Sequence, residues 1–228
     1  MVPAKYGGKF YRYIKYAVFT GICMKKILPQ KFFNRPTLEV AKDLLGKVLI
    51  HRLPLPRHSA SNQRSSAHRE LAMVITEVEA YDGFKDKASH ASRGKTERNK
   101  IMFEQAGCFY VYFTYGIHYM LNIVTGPKNY PAAILIRGGI IADSKNFSLS
   151  SFHSSLLLSG PAKLTKFLKI DKKFNNLKAT PKNNLWFEDR GIKMPSGQII
   201  AKKRVGVEYA GKVWSNKKWN FSIKTPKY

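Results

Sequence analysis

The run Gly107-Cys108-Phe109-Tyr110-Val111-Tyr112-Phe113-Thr114-Tyr115-Gly116, followed by Ile117 to Thr125, constrains the fold more than any other part of the chain. Residues 108–114 and 117–125 are rich in aromatic and β-branched side chains, which suit a pleated, half-buried surface. Tyr115-Gly116 stands between them as a turn, so the two runs read as the arms of an antiparallel hairpin. A hairpin needs further strands against it to bury its apolar side, and the sequence provides them.

Residues 47–53 read as one strand and residues 71–80 as another, the latter ending in Glu77-Val78-Glu79-Ala80-Tyr81. Residues 132–137 form a further apolar strand, and short strands are expected near Leu185, Val205 and Phe221. Val40, Ala41, Leu44 and Leu45 recur at helical spacing, with Pro36 at the entry and Gly46 at the stop. Ser159-Gly160-Pro161 opens a second helix running to about Leu168. Residues 54–70 are a polar loop, His90 sits in a loop passing Gly83 and Gly94, and the Ser-rich residues 143–157 read as a surface linker. Strands dominate and the hairpin implies antiparallel pairing. The class is α+β, a single domain around a curved, mainly antiparallel sheet with a protruding β-hairpin and flanking helices. Residues 28–228 are expected to form that domain and residues 1–27 to stand outside it, with Met24 a plausible working start. The apolar run from Tyr16 to Met24 is too short to span a bilayer, and Lys25-Lys26 follow where a signal peptide needs small residues.

Charge narrows the partner. Lys and Arg number 40 against 14 Asp and Glu, a net of +26. A compact chain with that charge repels itself unless a polyanion answers it, and nucleic acid is the first candidate. An anionic membrane or an acidic protein comes second. Two cysteines, Cys23 and Cys108, build neither a disulfide framework nor a four-ligand zinc site, so a reducing compartment is expected.

The acids sit in the wrong place for a plain binder. Glu77, Glu79, Asp82 and Asp86 fall within ten residues, where they repel phosphate. Each has a structural reading, with Glu77 and Asp86 pairing to nearby Lys85, Lys87 or Arg93. Together they allow two chemistries. Glu77 and Glu79, on one strand face, could hold Mg²⁺ with Asp82 in a nuclease. Alternatively one carboxylate activates a water while aromatics hold an organic group. Tyr81, His90, Tyr110, Tyr112, Tyr115 and Tyr119 favour the second, because an unstacked base recovers about 1–3 kcal/mol on each aromatic platform.

These residues resemble the 3-methyladenine (alkyladenine, methylpurine) DNA glycosylases. The resemblance is carried by Glu79-Ala80-Tyr81, His90, Arg98-Asn99, the run from Gly107 to Gly116, and Tyr119 to Asn122. Ala132 to Arg137, Leu158 to Leu164 and Arg204-Val205-Gly206-Val207 complete it, in family order across nearly the whole chain. It implies that Glu79 is the general base activating water for attack on C1′, with Arg137 helping to hold that water. It implies that Tyr81, His90 and Tyr112 enclose a flipped purine, that Asn122 excludes normal guanine, and that Tyr115 fills the gap left in the duplex. Arg98 and Lys163 are expected to contact DNA. The implied activity is excision of alkylated or deaminated purines from double-stranded DNA, by a monomer, leaving an abasic site. No metal or organic cofactor and no membrane are implied. The compartment is the one that holds DNA: cytoplasm or nucleoid in a bacterium, nucleus or organelle in a eukaryote.

The resemblance sets a geometric condition. With a strict two-residue turn, Tyr112 pairs with Tyr119 and Asn122 with Phe109, and Tyr112 and Asn122 face opposite ways. For both to line one pocket the loop must have odd length or a bulge must intervene. Three departures from the family pattern stand out. Val78 replaces a common Thr and should spare the pocket, Ala106 replaces a common Pro, and Gly138-Gly139-Ile140 follows Arg137 in place of Ala-acid-Pro. Two rivals remain: the Mg²⁺ nuclease on Glu77, Glu79 and Asp82, and a non-catalytic nucleic-acid binder.

Overall fold

The computed structural model describes residues 18–19, 25–54, 68–143, 156–194 and 196–224. Among them, ten strands form one antiparallel sheet: β1 (Lys26–Ile27), β2 (Val48–Pro54), β3 (His68–Asp82), β4 (Phe109–Thr114), β5 (His118–Val124), β6 (Ala132–Ala142), β7 (Leu157–Ser159), β8 (Leu185–Asp189), β9 (Ile199–Lys202) and β10 (Asn220–Ile223). The main path runs β1-β8-β2-β3-β6-β5-β4. The sheet forks along the long strand β3. Its first half pairs with β2, while Glu77 to Glu79 pair with Ser222 to Asn220 of β10. The four α-helices in the described residues are α1 (Gln30–Phe33), α2 (Thr37–Leu44), α3 (Pro161–Phe167) and α4 (Gly211–Ser215). The expected α+β class, with a single domain, is what the chain adopts.

One face of the sheet carries the main core. Phe33, Val40, Ala41, Leu44 and Leu164 from the first three helices pack there on Met73, Ile75, Val78, Phe109, Leu121, Ile134, Ile136 and Phe187. The residue parity along β3 changes partway. Met73 and Ile75 are core, and so are Val78 and Ala80, which a regular strand would not allow. The cause is an irregularity between Ile75 and Val78, where Thr76 lacks a partner on β6 and Arg137 lacks one on β3. Double bulging reverses the faces of both strands. Glu77, Glu79 and Tyr81 thereby leave the core face, and Val78 stays on it, away from the cavity described below.

The hairpin β4–β5 obeys the geometric condition. Tyr112 pairs with Met120, Tyr110 with Asn122 and Thr114 with His118, so the loop is the three residues Tyr115-Gly116-Ile117. Tyr115 and Gly116 both have positive φ, at 52° and 67°. The odd length brings Tyr110, Tyr112 and Asn122 to one face. The free edge of β4 is covered by residues 175–177: Phe109 N–H donates to Leu177 O at 2.8 Å, and Val111 N–H to Asn175 Oδ1 at 3.0 Å. That cover removes a ladder open to unwanted pairing.

Several element expectations shift. The strand expected at residues 132–137 continues to Ala142, because Gly138 and Gly139 are strand residues. A Cβ at Gly139 would meet Met73 Cγ at 2.5 Å, so this close strand crossing needs glycine. No strand forms at Val205; the strand there ends at Lys202, and Val205 lies in the bend that follows. Strand β3 begins at His68, inside the expected 54–70 loop, and β7 begins at the end of the expected 143–157 linker. Residues 55–67 and 144–155 lie outside the described residues. Among the described residues before Leu28, Lys26–Ile27 pair with β8 and Val18–Phe19 with Ile192–Lys193.

Candidate active site

On the sheet face opposite the main core lies a cavity of about 330 Å³. Its walls come from β3, from the loop through His90, from the hairpin, from β6 and from residues 205–209. Glu79, Tyr81, His90, Tyr112, Asn122, Arg137 and Tyr115 all line it, so the residues singled out in the sequence as one site do meet. Arg98 and Lys163 are exposed and outside the lining. Lys163 stands two residues beyond Pro161, which does line the cavity.

Glu79 forms the floor and is fully buried. Its Oε1 accepts the Val205 N–H at 2.8 Å and Asn220 Nδ2–H at 3.1 Å, with Arg137 Nε at 3.4 Å. Among the described residues, its Oε2 accepts only the Tyr81 hydroxyl, at 2.9 Å. One oxygen is saturated and the other keeps acceptor capacity. Glu77 shares the same donors, taking Arg137 Nε at 3.0 Å and Asn220 Nδ2 at 2.8 Å. Arg137 is thus the common cation between two carboxylates, held there by the bulge that re-aims it. Its carbonyl also accepts Gly160 N–H at 3.0 Å, tying the start of α3 to the same point.

Aromatic rings form the walls. The His90 and Tyr112 rings stand 4.7 Å apart edge to face, and the Tyr110 and Tyr112 rings 5.2 Å apart. Burial pushes the Tyr81 hydroxyl well above its ordinary value, with the Glu79 charge adding to it, and pushes Tyr112 up to about 12. Both remain protonated donors at neutral pH. His90 titrates low, at about 4, because burial disfavours its cation and the Arg98 charge repels it. Its position is fixed from behind, where Asn99 Nδ2 donates to His90 O at 2.8 Å and Gly94 O at 2.9 Å. Asn122 is buried and satisfied, donating to Tyr110 O at 3.0 Å. Tyr115 at the hairpin tip is 87% exposed.

Two local pairings expected in the sequence are replaced by distant ones. Asp86 binds Arg204, not a neighbouring Lys or Arg, at 2.6 and 2.8 Å across 118 residues. Glu77 binds Arg137. Arg204 lies between the Tyr81 and Trp219 rings, 4.8 and 5.0 Å from their centroids, and anchors the bend that presents Val205 N–H to Glu79. Asn220 and Tyr209 are site residues that sequence reasoning missed. An Asn beside Trp219 and Phe221 in an apolar strand was the one available signal. Tyr209 gave none; its hydroxyl donates to Ala88 O at 2.8 Å across the cavity mouth.

Asp82 stands apart from the glutamates, its Oδ1 accepting the Thr37 hydroxyl at 2.7 Å. Among the described residues no three His, Cys, Asp or Glu groups converge as metal ligands.

Comparison with known proteins gives one consistent result. The family model described as methylpurine-DNA glycosylase matches residues 31–227. A protein of Methanocella arvoryzae is 41% identical over 191 residues, covering 81% of this chain and 86% of its own. One from Psychrobacter cryohalolentis is 39% identical over 197 residues, covering 82% and 88%. One from Clostridium novyi is 38% identical over 215 residues, covering 89% and 98%. All three carry the provisional name 3-methyladenine DNA glycosylase.

Proposed function

Since this chain belongs to the methylpurine-DNA glycosylase family, and so to the N-glycosyl hydrolases of DNA repair, we propose that its cavity receives a single alkylated or deaminated purine flipped out of duplex DNA. Extruding a base costs a few kcal/mol, and less where pairing is already damaged. Stacking on Tyr81, Tyr112 and His90 returns about 1–3 kcal/mol per aromatic face. Tyr115, exposed on a positive-φ loop, enters the duplex where the base has left. Asn122 crowds the exocyclic amino group of guanine. Lys163 and the outward face of Arg98 meet backbone phosphates.

The observation that carries the reading is the asymmetric partnering of Glu79. With Oε1 saturated and Oε2 taking one hydroxyl, Oε2 has room to accept a proton from a water in the cavity. That water's oxygen bonds to C1′, its proton passes to Glu79, and the N-glycosyl bond breaks with its electron pair leaving on the base. An abasic deoxyribose remains. An alkylated purine leaves readily because it is already cationic. Neutral hypoxanthine needs protonation, which suits N7. A positioned base of this kind contributes roughly 10²–10⁴ in rate.

A Mg²⁺ nuclease would need Asp82 beside Glu77 and Glu79, and the Thr37 contact and the Arg137–Asn220 bridge argue against that. The test is incubation of duplexes holding one hypoxanthine or one 3-methyladenine, with Mg²⁺ and in EDTA side by side, each read before and after hot alkali. Breaks at the lesion only after alkali are expected. Breaks without alkali, abolished by EDTA, would return the nuclease.

A further inference from the structure

Glu77 stands beside the buried carboxylate of Glu79 without lining the cavity itself. Both glutamates project from one face of β3, and both reach for the same two donors. Arg137 Nε carries a single hydrogen, which goes to Glu77 Oε1 at 3.0 Å. The contact of Nε with Glu79 Oε1 is longer, at 3.4 Å. Asn220 Nδ2 likewise lies nearer Glu77 than Glu79, at 2.8 against 3.1 Å. Glu77 thus holds the closer bond to each donor. On its other side it borders a second cavity, of about 150 Å³, with Thr76, Ser159, Lys202 and Ser222. The Glu77 side chain stays 27% exposed, whereas that of Glu79 is fully enclosed.

We infer that Glu77 is a positioning residue, which draws Arg137 and Asn220 onto its own carboxylate and so keeps Glu79 free to accept a proton. The inference rests on Glu79 being the general base and adds the group that keeps it one. A guanidinium bonded directly to a carboxylate favours the ionised form, and that opposes proton uptake from the attacking water. Glu77 takes this bond in place of Glu79. Replacing Glu77 by Gln keeps the shape of the side chain but removes the competing charge. Arg137 then closes onto Glu79 Oε1 and blunts the base. Because Glu77 acts through Arg137, the effect exists only while the guanidinium is there.

A double-mutant cycle on the rate tests this. Single-turnover release is measured at saturating enzyme from duplexes holding one hypoxanthine or one 3-methyladenine, with Kd for the same duplexes in parallel. Glu77→Gln should slow release by about tenfold, a part of what a positioned base contributes, with Kd changed by less than about threefold. In an Arg137→Gln background the same substitution should slow release by less than about twofold, since no guanidinium remains to be redirected. Equal slowing in both backgrounds overturns the inference, as does a Glu77→Gln variant that releases the base at the wild-type rate. Loss of binding in step with rate makes Glu77 a structural residue and overturns it too. The controls separate these failures from failure of the underlying reading. A wild type that releases neither base removes base excision, and a wild type matched by Glu79→Gln removes Glu79 as the base, and either result takes the inference with it.

Discussion

Arg137 answers two carboxylates at once, and its loss exposes what that arrangement is worth. Arg137→Gln leaves Glu77 and Glu79 joined through Asn220 with no cation between them. The expected cost is about 1–3 kcal/mol in urea denaturation, less than for a fully buried pair because Glu77 remains partly solvated. A variant as stable as wild type would mean that the guanidinium is not the counter-charge. His90 gives a prediction in pH. Its proton binds near pH 6.5 in the unfolded chain but only near 4 when folded, so between those values the unfolded chain holds more protons. Acidification through that window therefore favours unfolding. The urea midpoint of the wild type should fall from about pH 6.5 to about 4, and His90→Gln should flatten part of the fall. His51, also lowered chiefly by burial, supplies a share that the variant leaves in place. An identical slope in both proteins would contradict the low titration of His90.

The hairpin and the bulge decide which side chains reach the cavity. Deleting Ile117 shortens the loop to two residues but leaves Thr114 opposite His118, so Asn122 keeps its place beside Tyr110 and Tyr112. Base release should persist with circular dichroism near native. Loss of release in a natively folded variant would mean that the three-residue tip, and not the register alone, is needed. The odd loop was legible in advance, because two residues had to share a pocket. The helices at Thr37–Leu44 and Pro161–Phe167 were legible too, from apolar spacing and their flanking Pro and Gly. The double bulge at Thr76 and Arg137 was not. Thr76 and Arg137 each sit in a run that reads as one regular strand, and the two extra residues have meaning only once β3 and β6 are paired. The extension of β6 through Gly138-Gly139 was hidden for the same reason, since glycine reads as a breaker until Met73 is seen beneath it.

Across the whole molecule, the charge of +26 and the buried acid describe one device, a cationic body that brings DNA to an anionic floor. If about five phosphates are neutralised, log K should fall against log salt with a slope near −4.5, and Lys163→Gln should reduce its size by about 0.9. Tyr115→Ala should weaken binding to a lesion-bearing duplex with the slope unchanged, because no charge is lost. The convergence of Glu79, Tyr81, His90, Tyr112, Asn122 and Arg137 was readable from the family resemblance. The partners that orient them were not. Asn220, Val205 N–H and the Asp86–Arg204 pair reach the site across more than a hundred residues, a distance over which local pattern carries no information. The account's central claim is that Glu79 activates the water. Its most direct test is single-turnover release of hypoxanthine from a duplex in EDTA, by wild type and Glu79→Gln, with DNA binding measured on both. The account predicts a loss of at least about a hundredfold in rate with binding retained. A variant that releases the base at the wild-type rate would contradict it.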